Sequence, residues 1–248
     1  APSRPVILIP ARMASTRLPN KPLADILGLP MIVRVYQRAK AAQLGPVLVA
    51  CAEPEILEAV KKAGGEAILT NPAHPSGSDR IFEALNKFDP SGQYDAIINV
   101  QGDLPTVEPD TIKAVYRGLM NPDVDISTAI APIHHEADRN NPAIVKAVVE
   151  LKEGGTQGRA LYFSRNVVPA NEGPHWHHIG LYGYRRDALE HFVKLPPSAL
   201  EQREKLEQLR ALSAGMRIEA VVVGEVPLGV DTPAELALAR EMIAKGGY

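Results

Sequence analysis

Residues 6–23 read VILIPARMASTRLPNKPL, and this stretch is the most informative part of the chain. The run at residues 6–9 has the apolar, β-branched composition of a buried strand. The segment after it carries Arg12, Arg17 and Lys21, two hydroxyl side chains and no acidic group. Fixed cations and hydroxyl donors at the carboxyl end of a first strand suit a polyanion such as a nucleotide triphosphate. The alternative is a solvated surface loop with incidental charges.

Short apolar runs alternate with helical patterns in the first half of the chain. The strand patterns lie at residues 6–9, 47–51, 66–69 and 96–100, and the helical patterns lie at 31–42, 55–63, 79–88 and 109–120. This βαβα order predicts an α/β fold with a mostly parallel central sheet and helices on both faces. In such sheets ligands bind at the carboxyl ends of the strands, where the cationic segment begins.

The second half of the chain has a less regular pattern. Strand patterns lie at 124–132, 143–150, 159–163, 179–184 and 218–223, and helical patterns lie at 198–212 and 233–244. A glycine-rich turn between the second and third of these strands predicts a hairpin. We predict a single domain, residues 1–248, with a protruding β segment near residues 132–180. That such a protrusion forms dimer contacts is a hypothesis at this point.

Composition restricts the classes of protein to which the chain can belong. Its 248 residues are 45% hydrophobic and 23% charged, which is ordinary for a globular protein. The formal net charge of −2 argues against non-specific nucleic-acid binding. No apolar run is long enough to span a membrane, and the single cysteine, Cys51, lies in an apolar run typical of a buried, reduced thiol. We therefore expect a cytoplasmic protein with no nucleic-acid or membrane partner.

Two aspartates are candidates for a metal site. Asp103 follows the strand pattern at 96–100, where it could hold Mg²⁺ against phosphates or simply belong to a strand-ending turn. Asp231 precedes a predicted helix, and alone it would be interpreted as a capping residue. Together, the two carboxylates and a triphosphate would make a site for a hard cation that keeps part of its water. Asp123 and Asp125 also match an acidic metal-binding pattern, but they precede a strand and are interpreted as a turn.

Three further patterns suggest ligand contacts. His178 and Tyr182 alternate with Gly180 along one strand, so their side chains share a face and could line a pocket for a polyhydroxylated ligand. A satisfied histidine packed beside a tyrosine would give the same pattern. Ser78 lies where a helical pattern begins, and its surroundings could bind an anion or simply cap the helix. Glu207 by itself indicates a solvated charge on the flank of a helix.

The motifs, in this order, resemble those of the bacterial 3-deoxy-manno-octulosonate cytidylyltransferases, also called CMP-Kdo synthetases. The matching segments span almost the whole chain and are IPARMASTRLPNKPL, SGSDR, NVQGD, ALYFSR, HIGLYGY, LEQLR and GVDTP. The first motif is shared with related sugar nucleotidyltransferases, whereas HIGLYGY together with LEQLR is specific to this family. The resemblance implies a Rossmann-like nucleotide-diphospho-sugar transferase fold and a homodimer.

The resemblance also implies a reaction. The 2-hydroxyl of Kdo would attack the α-phosphorus of CTP, pyrophosphate would leave, and CMP-Kdo would enter lipopolysaccharide inner-core assembly. Fixed cations suit the charge that develops on the transferred phosphate and on pyrophosphate. The cations expected to act in catalysis are Arg12, Arg17 and Lys21.

The resemblance assigns the binding residues as well. Mg²⁺ would be the cofactor, and its ligands would be Asp103 and Asp231. The expected nucleotide contacts are Arg12, Ser15, Lys21, Ser78 and Gln101. The expected sugar contacts are Arg17, Gln101, Arg165, His178, Tyr182, Glu207 and Gln208.

Two departures from the family pattern bear on these roles. Leu104 stands where the family commonly has an acid, so no metal role is assigned to that position. Cys51, Ala52 and Glu53 replace the usual A-T-D, which leaves the role of that segment open. The alternative acceptors are a sialic acid or an 8-amino analogue of Kdo. A different class of function is that of a non-catalytic nucleotide-binding protein.

Overall fold

The fold is described from a computed structural model that covers residues 1–248. The chain forms two compact units. The larger unit comprises Ser3–Lys113 and Pro227–Tyr248, and the smaller unit comprises Ala1–Pro2 and Ala114–Val226. The single domain over residues 1–248 stays a prediction. No helix in the chain combines the length and the hydropathy that a membrane span requires.

The larger unit alternates strands with helices. Its elements are β1 (Pro5–Ala11), the 3₁₀ helix η1 (Lys21–Leu23), β2 (Asp25–Ile26), β3 (Leu29–Pro30), α1 (Met31–Ala41), β4 (Val47–Cys51), α2 (Pro54–Lys62), β5 (Ala67–Leu69), α3 (Gly77–Phe88), β6 (Ala96–Asn99), the start of α4 (Pro109–Arg117) and α9 (Pro233–Ala244). The main strands pair in the order β5, β4, β1, β6, and every pairing is parallel.

Burial explains why the apolar runs of this unit form strands. The side chains of β1 from Val6 to Ile9 are fully buried, and so are Ile97 and Ile98 of β6. Parallel strands covered by helices need apolar residues on both faces, which a continuous apolar run provides. Helices α1, α2 and α3 pack against these strands. The cationic segment therefore leaves the carboxyl end of a central strand.

The smaller unit is built mainly from antiparallel strands. Its elements after α4 are β7 (Ile126–Pro132), α5 (Glu136–Arg139), β8 (Lys146–Leu151), β9 (Gln157–Ser164), β10 (Trp176–Arg185), α6 (Arg186–Lys194), α7 (Ala199–Glu204), α8 (Leu209–Ser213) and β11 (Ile218–Val222). The strands pair in the order β10, β7, β11, β9, β8, and only β7 and β11 run parallel. The start of β10 also pairs with β8.

The predicted α/β class is confirmed, and so is the hairpin, since β8 and β9 pair antiparallel. The mostly parallel arrangement is that of the larger unit, since in the smaller unit only β7 and β11 pair in parallel. The short turn between β8 and β9 permits only antiparallel pairing of those two strands. Cys51 is a buried strand residue, as predicted. Burial and the charge of Glu53 raise the pKa of its thiol to about 11. Asp125 lies before β7 and accepts a hydrogen bond from the Arg217 amide, so it is a structural turn residue.

The single helix predicted over residues 198–212 is wrong. Helix α7 ends where Lys205 adopts a left-handed backbone with φ of 58°, and a separate helix, α8, begins at Leu209. Glu201 completes a capping box at the start of α7 and also accepts two hydrogen bonds from the Arg210 guanidinium, at 2.6 and 2.9 Å. These contacts hold the break. As a result Gln208 is buried instead of lying on a solvated helix flank.

Candidate active site

A cavity of about 760 Å³ lies in the larger unit, beside the carboxyl end of β1. Four segments form it: the loop after β1, the start of α3, the loop after β6 and the segment before α9. The residues that line it are Pro10, Ala11, Arg12, Ala14, Ser15, Thr16, Arg17, Lys21, Pro22, His74, Pro75, Ser76, Gly77, Arg80, Gln101, Gly102, Asp103 and Asp231. Segments distant in sequence meet here because the carboxyl ends of parallel strands share one edge of a sheet.

Lys21 lies between the two aspartates that the sequence suggests as metal ligands. Its Nζ donates a hydrogen bond to Asp231 Oδ1 at 2.8 Å and lies 3.8 Å from Asp103 Oδ2. The Lys21 side chain is 19% exposed, and those of Asp103 and Asp231 are 27% and 46% exposed. The two carboxylates therefore face one cation in a partly desolvated position, where charge interactions are stronger than in water.

Backbone contacts hold the two aspartates near each other. The Val230 amide donates to the Asp103 carbonyl at 2.9 Å, which joins the loop after β6 to the segment before α9. The Asp231 amide donates to Glu235 Oε1 at 3.0 Å. Thr232 caps α9 by accepting a hydrogen bond from the Glu235 amide, as its position before Pro233 predicts. The capping role therefore belongs to Thr232, and the Asp231 carboxylate faces Lys21.

The environment of Asp103 favours a bound cation. Burial raises the pKa of the Asp103 carboxyl to about 6, Lys21 opposes that rise, and the nearby charge of Asp231 adds to it. The ionised form of Asp103 is disfavoured even with Lys21 beside it, so a further positive charge would stabilise that form. Two hard oxygen donors of this kind suit a divalent cation.

The cationic loop after β1 presents Arg12, Ser15 and Arg17 to the cavity. Arg12 and Arg17 are exposed, so their guanidinium groups are free to meet a ligand from the cavity. The Met13 amide, inside the loop, donates to Glu53 Oε2 at 3.0 Å. Glu53, one of the departures from the family pattern, therefore anchors the loop next to its first arginine.

The loop after β6 brings Gln101 to the cavity. Gln101 donates a weak hydrogen bond to Asn99 Oδ1 at 3.4 Å. Gly102 is required by close approach of the backbone, because a Cβ atom there would lie 2.9 Å from the Pro10 carbonyl oxygen. The absence of a side chain therefore permits contact between the two loops that carry the candidate residues.

Ser78 differs from the other expected nucleotide contacts, because it does not line the cavity. It is 4% exposed, and its hydroxyl shares a 2.9 Å hydrogen bond with Ser76. Ser76 is the N-cap of α3, accepting a hydrogen bond from the Asp79 amide. Ser76 and Gly77 line the cavity. Ser78 thus stabilises the start of α3 through Ser76 and does not face the cavity.

His74 and Arg80 also line the cavity, and sequence reasoning did not select them. Arg80 is only 3% exposed, and its guanidinium donates to Thr70 Oγ1 at 3.1 Å and to the Asn71 carbonyl at 3.3 Å. Burial lowers the pKa of Arg80. In the sequence, the only signal for Arg80 is its place at the end of the SGSDR motif. Its burial, which is unusual for an arginine, is visible only in the fold.

Glu83 holds His74 at the edge of the cavity, and its environment predicts a pH effect on stability. His74 Nε2 lies 2.8 Å from Glu83 Oε1, and the Asn71 amide and Lys87 also donate to this carboxylate. Burial raises the pKa of the Glu83 carboxyl, but the hydrogen bonds from Lys87, Asn71 and His74 outweigh it and lower the pKa to about 2.

We expect Glu83→Gln to lower the free energy of unfolding at pH 7 by about 1–3 kcal/mol. The folded pKa is depressed, so the stabilisation is complete above the unfolded value of about 4.3 and is lost as the pH falls toward 2. Urea denaturation at pH 7 and pH 3.5 measures the difference. The gap between wild type and variant must narrow at pH 3.5; a gap that is constant or wider contradicts this assignment. Glu241→Gln, which removes an exposed i,i+4 partner of Lys245, is the matched control.

In the smaller unit, three of the expected sugar contacts form one cluster. The ring centroids of His178 and Tyr182 are 5.7 Å apart, and Gln208 Nε2 lies 3.4 Å from His178 Nδ1. Burial raises the pKa of the Tyr182 phenol, and the charge of Glu207 raises it further. The shared strand face predicted for His178 and Tyr182 is present, and the helix break brings Gln208 to it.

Arg165 lies after β9 and contacts the turn around the helix break. Its guanidinium donates to the carbonyls of Glu204, Lys205 and Pro142 at 3.2–3.4 Å. The fully buried Lys146 donates to the Arg165 carbonyl at 2.9 Å. These bonds fix the arginine against the segment that carries Glu207 and Gln208.

Comparison with known proteins places the chain among enzymes. The family model described as Cytidylyltransferase matches residues 6–218. A 3-deoxy-manno-octulosonate cytidylyltransferase of Paramagnetospirillum magneticum is 61% identical over 96% of this chain and 97% of that protein. The chain belongs to this family. The corresponding protein of Rhodospirillum rubrum is 60% identical to the enzyme over 98% of this chain and 97% of that one.

Solved structures agree with this assignment. A CMP:2-keto-3-deoxy-manno-octonic acid synthetase complexed with CTP matches the enzyme with a TM-score of 0.90 and 40% identity, covering 98% of this chain and 99% of that chain. A cytidylyltransferase from Leptospira borgpetersenii, at 15% identity and a TM-score of 0.63, shares the fold. The predicted nucleotidyltransferase class and fold are confirmed.

Proposed function

We propose that the cavity of the larger unit binds CTP and that the enzyme transfers CMP to the 2-hydroxyl of Kdo, giving CMP-Kdo and pyrophosphate. The observation that carries this proposal is the position of Lys21, between Asp103 and Asp231 in the cavity that Arg12, Ser15 and Arg17 also line. One edge of the sheet thereby supplies positive charge for a triphosphate and acidic oxygens for its metal. Asp103, Asp231 and Lys21 together argue against a non-catalytic nucleotide-binding protein.

The cations of the cavity have the main catalytic role. Arg12 and Lys21, with the hydroxyl of Ser15, would bind the triphosphate through charge-assisted hydrogen bonds. Negative charge grows on the α-phosphate and on the departing pyrophosphate during an in-line displacement. Cations already fixed by the fold stabilise that charge without reorganising, which lowers the barrier. Arg17 is exposed on the same loop and would interact with both nucleotide and sugar.

The donors present fit Mg²⁺ as the cofactor. Asp103 and Asp231 would hold it, whereas Oε1 of the nearby Glu235 already accepts hydrogen bonds from the Asp231 amide and the Thr232 hydroxyl. Mg²⁺ commonly keeps several waters and takes one or two carboxylates together with substrate phosphates, so two protein ligands suffice. When bound, it would neutralise phosphate charge and lower the pKa of the attacking hydroxyl.

The residues proposed to contact the sugar acid lie in two groups. Arg17 and Gln101 line the cavity of the larger unit. Arg165, His178, Tyr182, Glu207 and Gln208 belong to the smaller unit. Buried aromatic and amide groups suit a sugar with many hydroxyl groups, and a guanidinium suits its carboxylate.

Pyrophosphate release tests the proposed substrate. Purified enzyme is given CTP, MgCl₂ and one sugar acid, and 31P NMR identifies the sugar nucleotide formed. We expect kcat/KM for Kdo to exceed that for N-acetylneuraminate by at least about a hundredfold, because a site built for particular hydroxyl groups rejects a mismatched acid. Excess EDTA must abolish release. A higher kcat/KM for the sialic acid or for 8-amino Kdo would identify that acid as the acceptor instead of Kdo. If no sugar acid gave pyrophosphate release, the proposal would be refuted.

The remaining parts of the proposal concern assembly and setting. We place the dimer contact in the β segment at residues 132–180, which leaves the apolar side chains of Leu161 and Val167 51% and 41% exposed. Apolar side chains on one strand and its following loop suit an interface between copies of a chain. We also propose that the reaction takes place in the cytoplasm and that CMP-Kdo is used in lipopolysaccharide inner-core assembly.

A further inference from the structure

The hydroxyl of Thr128 lies at the centre of a buried polar network in the smaller unit. Thr128 belongs to β7 and is fully buried. Its Oγ1 lies 2.9 Å from His178 Nε2, 3.1 Å from the Ile179 carbonyl and 2.8 Å from the Leu181 carbonyl. One hydroxyl on β7 therefore meets three polar groups of the neighbouring strand, β10.

An irregularity in β10 brings these groups together. Ile179 pairs with Ala129 and Tyr182 pairs with Thr128, so the register shifts between them and two residues of β10 have no partner on β7. Such a bulge leaves backbone groups without their ladder partners. The Thr128 side chain reaches the carbonyls on both sides of the unpaired glycine. It therefore supplies the donor that the interrupted ladder lacks there.

The same contacts decide which nitrogen of His178 carries the proton. A threonine hydroxyl has one proton, and a carbonyl oxygen can only accept, so that single proton is directed at the Ile179 and Leu181 carbonyls, which share it. The hydroxyl oxygen must then accept from His178, which requires a proton on Nε2. Burial, and next the charge of His177, lower the pKa of His178 to about 3, so the ring is neutral near pH 7.

A neutral ring protonated at Nε2 presents Nδ1 as an acceptor. Gln208 Nε2 lies 3.4 Å from His178 Nδ1, and only the amide nitrogen of a glutamine can donate to it. The orientation of the Gln208 amide follows, since its nitrogen is directed to the histidine and its oxygen is left to accept from another group. Both side chains are 8% exposed, so solvent offers little competition.

We infer that Thr128 is a positioning residue for the sugar acid: its hydroxyl sets the tautomer of His178, and through His178 it orients the amide of Gln208 to accept from a sugar hydroxyl. The inference rests on the proposed function in one respect, that His178 and Gln208 contact the sugar. Thr128 itself does not need to contact the substrate. Its effect passes through two side chains that sequence motifs selected, whereas the threonine belongs to none of them.

Nuclear magnetic resonance of the imidazole nitrogens tests the tautomer directly. Long-range ¹H–¹⁵N spectra are recorded for ¹⁵N-histidine-labelled enzyme, and the His178 signals are assigned by their absence in His178→Gln. We expect the wild-type ring to be protonated at Nε2 alone. In Thr128→Val, which keeps the shape but removes the hydroxyl, Nδ1 becomes partly or fully protonated. Thr128→Ser restores the wild-type spectrum.

Steady-state kinetics test the consequence for the sugar. We expect Thr128→Val to raise KM for Kdo about tenfold, the effect of losing roughly one well-placed hydrogen bond. The values of kcat and of KM for CTP change less than about twofold, since the triphosphate contacts lie elsewhere, and Thr128→Ser recovers most of the loss. Ser127→Ala is the matched control, because that neighbouring hydroxyl on β7 donates to the Val115 carbonyl and not to His178.

Several results would overturn the inference. If His178 of the wild type is protonated at Nδ1, the inference is refuted without any variant. The test therefore still works if Thr128→Val folds poorly. An unchanged tautomer and an unchanged KM for Kdo in a folded Thr128→Val refute it as well, as does an equal rise of KM in Ser127→Ala. Absence of turnover with Kdo in the wild type refutes the proposed function instead, and the spectra still decide whether Thr128 sets the tautomer.

Discussion

Replacing either acid of the candidate metal site is expected to lower turnover by at least about a hundredfold. Asp103→Asn and Asp231→Asn each remove one anionic oxygen ligand while keeping the shape of the side chain, so Mg²⁺ binds more weakly and charge on the phosphates is less well neutralised. Initial rates measured against Mg²⁺ concentration should show a higher requirement for the metal as well as a lower maximum.

Neither variant should lose much stability, and Asp103→Asn should keep or gain some, because it removes a charge that burial disfavours. The backbone bond from Val230 to the Asp103 carbonyl does not depend on either side chain. Part-exposed ion pairs contribute only about 0–1 kcal/mol, so urea denaturation should show a loss of that size or less. Asp110→Asn, an acid that is 94% exposed and outside the cavity, is the matched control. Near-normal rates in either active-site variant, or a loss of rate equal to that of the control, would refute the metal proposal.

Lys21→Met is expected to lower kcat by about 10²–10³-fold. The variant keeps most of the side-chain length but removes the ammonium that would stabilise negative charge on the triphosphate during transfer. Single-turnover measurements at saturating CTP separate this effect on the chemical step from weaker nucleotide binding. Lys245→Met, which removes an ammonium paired with Glu241 at 3.1 Å on α9, is the control and should keep the wild-type rate.

The same variant should respond more strongly to Mg²⁺ when CTP is absent. In the free enzyme Lys21 neutralises Asp231 at 2.8 Å and lies 3.8 Å from Asp103, so it competes with a metal for the same oxygens. Without the ammonium, two neighbouring carboxylates repel each other until a divalent cation binds. In thermal unfolding, added MgCl₂ should therefore raise the Tm of Lys21→Met more than it raises the Tm of the wild type. Equal increases would show that Lys21 and the metal do not share these ligands.

Local patterns predict the larger unit well. Strands β1, β4 and β6 are buried on both faces, so they appear as continuous apolar runs, and β4 has the bounds that the pattern predicts. The closing helix α9 has its predicted bounds too, because Thr232 and Pro233 mark its start. The apolar run and the Thr-Pro pair are both local features of the sequence. They can therefore be recognised without the structure.

The break between α7 and α8 was missed for the opposite reason. Over residues 198–212 the helical spacing of apolar residues continues without a proline or glycine. The break depends on the left-handed Lys205 and on the contact of Arg210 with Glu201, and these are properties of the folded unit. Helix α6 was missed too, since its short amphipathic pattern directly follows a strand.

The α/β class and the cationic loop at the end of β1 follow from the order of residues, and motif resemblance adds the two aspartates and the family. Those features depend on residue type and order, which local physical rules interpret. Only the tertiary structure decided that Lys21 lies between the aspartates, that Arg80 and His74 reach the cavity while Ser78 does not, and that Thr128 orders His178 and Gln208. These outcomes depend on how the fold arranges separate segments around the site, and a hydrogen bond or ion pair forms only where both partners come within about 3–4 Å.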